Sequence, residues 1–214
     1  MENGIYIDEL LLIKELNDAN FEYLQRAINS TNDDIRELAF SSIANFSSEY
    51  DVWSALTKGV LDENPLISSD CLGYVAETDK DKAEELIIER LFDPRTIVSC
   101  TALELIINYP NNEQAFKFIE SKLLDPVVSS SEKVRGMYAL YFVNGSYGFH
   151  HLSQFMDMSK DYRDRCALLN MLIEGIRDND VSDALKMIEQ RNNIEPFKSV
   201  KNLLKELKEK LIAL

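Results

Sequence analysis

Apolar residues in this chain recur at helical spacing, and their phase is reset at regular intervals. A β-branched or aromatic residue is followed four positions on by a small one and near position eight by another apolar one. Ile35, Ala39 and Ile43 form the first set; Ile67, Cys71 and Val75 the second; Val98, Ala102 and Ile106 the third. Val134, Ala139 and Phe142 follow less regularly, and Tyr162, Cys166 and Leu169 complete the series. Residues four and eight apart share one face of a helix. The small central residue lets two helix backbones approach where they cross.

The five leading residues stand 32, 31, 36 and 28 positions apart, a period near that of stacked helical pairs. Start signals precede each set: Thr31-Asn32-Asp33-Asp34, Asn64-Pro65, Asp93-Pro94, Ser129-Ser130-Ser131 and Ser159-Lys160-Asp161. They offer N-cap oxygens, and Pro65 and Pro94 suit the first helical position. Second amphipathic stretches follow, about 49–61, 79–92, 112–124, 149–158 and 181–191. Three of them finish in two apolar residues and an aspartate: Val60-Leu61-Asp62, Leu91-Phe92-Asp93 and Leu123-Leu124-Asp125.

The expected architecture is all-α: a single-domain α-solenoid of about five helical hairpins. Residues 1–30 form an N-terminal cap, with helices over about 5–16 and 21–29. Residues 31–191 form the hairpins, and 192–214 a C-terminal capping helix with Leu203, Leu204, Leu207 and Leu211 on its apolar face.

Composition narrows the class. The 214 residues are 45% hydrophobic and 28% charged, with 7 Gly and 5 Pro, which disfavours a many-turned β-fold and disorder. No signal peptide and no span of about 20 apolar residues is present, which predicts a cytoplasmic protein. Cys71, Cys100 and Cys166 are an odd number and widely spaced, so neither a disulfide framework nor a zinc knuckle is expected. Cys71 and Cys166 occupy positions that call for a small residue.

A formal net charge of −14 disfavours nucleic acid and anionic membrane as partners. Residues 1–60 hold 11 acids and 4 bases, residues 61–130 hold 14 and 6, and residues 131–214 hold 12 and 13. The acidic excess therefore belongs to the first part of the chain.

Motifs for chemistry are lacking. His150 and His151 are the two histidines, and adjacent helical residues point about 100° apart, a poor arrangement for one metal. No GxSxG, Gly-rich phosphate loop, HExxH or EF-hand loop occurs. The expectation is no catalytic residue, no metal and no cofactor. The candidates left are partner-binding residues on the second helices: Glu49, Asp51, Asp81, Glu85, Glu89, Glu113 and Glu120, with Tyr50 and Trp53 as aromatic anchors. Carboxylates around a Tyr/Trp pair suit a Lys- or Arg-rich surface. Trp53 is equally spaced for the core, and an ordinary solvated acidic face has the same composition. The segment Tyr141–Phe149, rich in aromatics, reads either as a contact loop or as a packed hinge.

Asp33-Asp34-Ile35-Arg36-Glu37-Leu38-Ala39, echoed in part by Glu132-Lys133-Val134-Arg135, resembles the HEAT-repeat family over roughly residues 31–191. Arg follows the leading residue in the first, fourth and fifth sets, and Ser68 and Ser99 stand there in the others. Among small acidic HEAT-like bacterial proteins, the chain looks most like an immunity protein that neutralises a basic nuclease toxin by direct binding. The resemblance also admits a general adaptor or regulatory scaffold. A HEAT-like glycosylase or lyase fits less well with the acidic charge.

Overall fold

The computed structural model describes residues 4–46, 52–125 and 127–213, whose regular structure is all helical, without a β-strand. Two compact units divide the chain, Met1–Tyr109 and Pro110–Leu214.

The first unit holds α1 (Ile7–Leu11), α2 (Asp18–Ala27), α3 (Asp33–Ala44), α4 (Trp53–Val60), α5 (Pro65–Thr78), α6 (Lys80–Arg90) and α7 (Thr96–Leu105). Helices α3, α5 and α7 pack side by side in succession; α4 lies against α3 and α5, and α6 against α5 and α7. The nine leading, small and following residues of the first three sets are all buried. The crossing of α4 and α5 shows why small residues are needed there. A Cβ added at Gly59 would lie 2.2 Å from Cys71 Sγ and 3.0 Å from Phe40 Cε1.

Caps set most of the helix starts. Asn32, Asn64 and Asp79 side chains accept hydrogen bonds from the first-turn N–H groups of α3, α5 and α6. Pro65 is the first residue of α5 as expected, whereas Pro94 stays outside α7. Asp93 Oδ1 accepts from both the N–H and Nε of Arg95, which holds the loop in a turn until Thr96. The expected helix over residues 5–16 is cut to five residues. Asn17 caps α2 and Asn20 donates to the Glu15 carbonyl, so the chain turns between α1 and α2.

The second unit holds α8 (Glu113–Leu123), α9 (Ser130–Tyr138), α10 (Phe149–Met158), α11 (Tyr162–Glu174), α12 (Val181–Ile194) and α13 (Lys198–Ala213). Helix α9 packs on α8 and α11, and α13 on α11 and α12. Its close approach to α8 falls at Gly136, where a Cβ would meet Leu123 Cδ2 at 2.9 Å. Residues Ala139–Asn144 continue α9 as a π-helix that ends at Gly145 with φ +71°. Tyr141, Tyr147 and Phe149 are buried, so the aromatic segment serves packing. The Tyr141 hydroxyl donates to Asp180, and the Arg177 guanidinium lies 3.9 Å from its ring centroid.

In α11 the expected register is displaced. Tyr162, the expected buried leader, is exposed and stacks on Phe197, and Cys166 is half-buried. The buried face carries Arg165, Leu168, Leu169 and Leu172 instead. Arg165 enters the interior because a carboxylate waits there.

That pairing is one of three alike. Arg36 gives Nε and Nη2 to Asp62 at 2.8 and 3.0 Å and Nη1 to the Ser30 carbonyl at 2.9 Å. Arg165 gives Nε and Nη2 to Glu195, both at 3.0 Å, and Nη1 to the Ser159 carbonyl at 2.7 Å. In both, the carbonyl is six residues before the arginine. Each guanidinium thus ties the chain ahead of one helix to the end of the next, the fork geometry that arginine is suited to.

The hairpin α5–α6 has Ser68 where α3 has Arg36 and α11 has Arg165. Arg95 fills the place from the following loop, giving Nη1 to the Asp62 carbonyl, six residues before Ser68, at 2.6 Å. Its Nε and Nη2 hold Asp93 at 2.9 and 2.8 Å, and Nη2 also meets Ser68 Oγ at 3.1 Å. All three carboxylates accept the N–H two residues on as well, from Asn64, Arg95 and Phe197.

Candidate protein-binding surface

The charge divides with the units. The first contains 22 acidic and 8 basic residues and the second 15 of each, so the whole net charge of −14 resides in residues 1–109. Helix α6 displays it most regularly. Ala83 and Ile87 turn inward, which leaves Asp81, Glu85 and Glu89 exposed at successive i+4 positions along the opposite face. Few cations offset this face: Arg90 Nη2 stands 3.5 Å from Glu89, and Lys82 Nζ pairs with Asp79 at 2.8 Å. The Lys82 and backbone N–H bonds hold the Asp79 carboxyl below its ordinary value.

Trp53, the first residue of α4, is half-buried, between the two roles open to it from its spacing. Lys82 Nζ lies 5.6 Å from its ring centroid, so its face already receives a cation, beside the first turn of α6. The first unit therefore joins Trp53 to α6 through Lys82. Glu113 and Glu120 belong to the second unit, exposed on α8, with Glu113 3.9 Å from Lys117. Burial, and after it the charge of Glu120, pushes the Tyr147 hydroxyl above its ordinary value. Glu49, Tyr50 and Asp51 lie outside the described residues.

Three carboxylates bind arginines in a role the sequence reading did not assign to them: Asp62, Asp93 and Glu195. Burial works to raise the Asp62 and Glu195 carboxyls, but hydrogen bonds from Arg36 and Arg165 and from the backbone outweigh it, and both lie below their ordinary values. For Asp93 the hydrogen bonds from Arg95 are the leading cause of the same lowering. The terminal aspartate of Val60-Leu61-Asp62 and Leu91-Phe92-Asp93 was the available signal.

Among the described residues, no group of three or more His, Cys, Asp or Glu side chains could hold a metal ion. Rings of His150 and His151 lie 3.7 Å apart, and His151 stacks on Tyr147. Cys71 and Cys100 are buried, and burial pushes the Cys71 thiol far up, away from nucleophilic character. No helix in the described residues is long and apolar enough to cross a membrane. No protein-family model matches this chain, and no curated protein matches it either.

Proposed function

We propose that the chain is a protein-binding module with an acidic surface, built as a HEAT-like α-solenoid. In this reading it is a cytoplasmic immunity protein that neutralises a basic, nuclease-type toxin by direct binding. The observation that carries the proposal is the confinement of the net charge to one unit, where α6 presents three exposed carboxylates. Such a face accelerates encounter with a cationic partner and makes the complex salt-sensitive. The recurring guanidinium clamp supports the repeat character of the fold, since Arg36 and Arg165, each the fourth residue of its helix, make like bonds.

The test is a pull-down from the native host at low and high salt, with the retained protein identified and assayed for nuclease activity. A single basic protein, retained at low salt and inhibited by this chain, is the expected result. Charge reversal by Glu85→Lys with Glu89→Lys should weaken that complex by on the order of tenfold or more, with helical content unchanged. An unchanged dissociation constant at low salt would refute the role of α6, and a neutral partner surviving high salt would refute the basic-partner reading.

A further inference from the structure

Another set of exposed positions in the first unit combines apolar side chains with negative charge. In Val60-Leu61-Asp62 and Leu91-Phe92-Asp93 the first residue is buried, the aspartate accepts the clamp, and the middle residue projects outward. Leu61 is 63% exposed and Phe92 61%. Five residues further on, Leu66 and Ile97 in the next helices are 54% and 41% exposed. Both pairs are 31 residues apart, so equivalent positions in neighbouring hairpins are apolar and open to solvent.

Hydrogen bonds join these positions into one edge. Arg95 Nη1 reaches the Asp62 and Glu63 carbonyls, bringing the loop after α6 against the loop after α4. Asn64 Nδ2 donates to Asp33 at 2.7 Å, adding the start of α3. Deeper in α5 and α7, Ser69 and Thr101 hydroxyls meet at 2.6 Å, which keeps Leu66 and Ile97 at matching heights.

The charge on this edge is mostly negative, with Lys58 at the end of α4 as an exposed cation. Its three guanidinium groups, Arg36, Arg90 and Arg95, are engaged by Asp33, Asp62, Glu89 and Asp93. Asp34, Glu63 and Asp70 are exposed there, and none forms an ion pair among the described residues. An apolar ridge with uncompensated carboxylates fits a segment that is apolar on one side and basic on the other. Exposed apolar patches with polar rims mark such contact surfaces.

We infer that this edge, formed by the α4–α5 and α6–α7 loops, seats an amphipathic basic segment of the partner. Leu61, Leu66, Phe92 and Ile97 bury its apolar side, and Asp34, Glu63 and Asp70 meet its lysines or arginines. The inference rests on the reading of the chain as a binder of a basic protein and adds to the α6 face the place where one segment of that partner is seated.

The test uses the full chain and three fluorescent helical peptides of about 14 residues, some four turns. One alternates leucine and lysine faces, one replaces the leucines with serine, and one replaces the lysines with glutamate. Anisotropy titrations at about 50 mM salt, where exposed charges are weakly screened, give the dissociation constants. The Leu/Lys peptide should bind at least tenfold more tightly than the Ser/Lys peptide, and the Leu/Glu peptide should not bind. Leu61→Ser with Phe92→Ser should weaken the Leu/Lys peptide tenfold or more, and Glu63→Lys alone several-fold. Asp81→Lys with Glu85→Lys, about three and two turns before Phe92 on α6, should change it less than threefold. Circular dichroism verifies that each variant keeps its helices. Equal binding of the Leu/Lys and Ser/Lys peptides overturns the apolar ridge. Loss in the α6 variant with retention in the edge variants overturns the edge and leaves the basic-partner reading standing. Failure of the Leu/Lys peptide to bind overturns the edge, while the salt-dependent pull-down decides the basic-partner reading separately.

Discussion

Replacing Glu195 by glutamine should be the most damaging single-atom-scale change in the second unit. The carboxylate has no solvent exposure and receives four donors: Arg165 Nε and Nη2, Arg191 Nε and the Phe197 N–H. Glutamine keeps the shape but removes the charge and turns an N–H₂ group toward guanidinium donors. Arg165, only 3% exposed, then has no buried counterion. Breaking a buried pair from one side costs about 3–5 kcal/mol, because the remaining charge is left desolvated. With a urea m-value of about 2 kcal/mol/M, the midpoint should fall by about 1.5–2.5 M. The assay is urea unfolding followed by far-ultraviolet circular dichroism. Asp62→Asn should cost less, since Arg36 retains Asp33, 52% exposed, and the Ser30 carbonyl. Glu113→Gln, at a pair 3.9 Å apart with both partners in solvent, should not move the midpoint measurably. A Glu195→Gln midpoint within about 0.3 M of the parent, under 1 kcal/mol at that m-value, would refute the view that these clamps hold the hairpins closed.

Acid provides a second check on the same groups. Asp62 and Glu195 titrate below their ordinary values of 3.8 and 4.5, so their contribution is full above those values and is lost as pH falls through the depressed folded values. The midpoint difference between parent and Glu195→Gln should hold from pH 7 to about pH 5 and shrink below it; a gap constant through acid would contradict the assignment. Gly59→Ala should lower stability by about 1–3 kcal/mol despite the better helix former, because its Cβ meets Cys71 Sγ and Phe40. Adding Cys71→Ala should recover part of the loss in thermal melts. With a thiol-reactive disulfide reagent, half-buried Cys166 should react first, and buried Cys71 and Cys100 only on unfolding.

Much of this arrangement was legible because helical burial is periodic and tolerates few exceptions. Ile35-Ala39-Ile43, Ile67-Cys71-Val75 and Val98-Ala102-Ile106 stand buried where their spacing put them. The pattern failed at Tyr162 for a physical reason: a buried arginine scores as polar, yet Arg165 is inside because Glu195, thirty residues away, neutralises it. It also missed Gly136, since periodicity marks where side chains are needed and says little about where one must be absent. Pro94 misled for a local reason, the Asp93–Arg95 turn. For the surface, composition located the acidic half and helical spacing found the α6 face. The Leu61 and Phe92 ridge was hidden, because an apolar residue beside a buried one reads as core until its direction is known.

Arg95 has a consequence for anyone who would cut or extend this chain. Hairpin α3–α4 carries its own guanidinium in Arg36 and closes on itself. Hairpin α5–α6 does not: the group that seals it comes from beyond its last helix, through the Asp62 carbonyl and Ser68. A graft that ends at Asp93 would deliver a carboxylate with its donor left behind, whereas one that ends past Arg95 would transfer the seal intact. Placing arginine at position 68 would put two guanidinium groups in one berth unless Arg95 were removed as well. The segment that folds as a brick is therefore offset by one loop from the segment that repeats in the sequence.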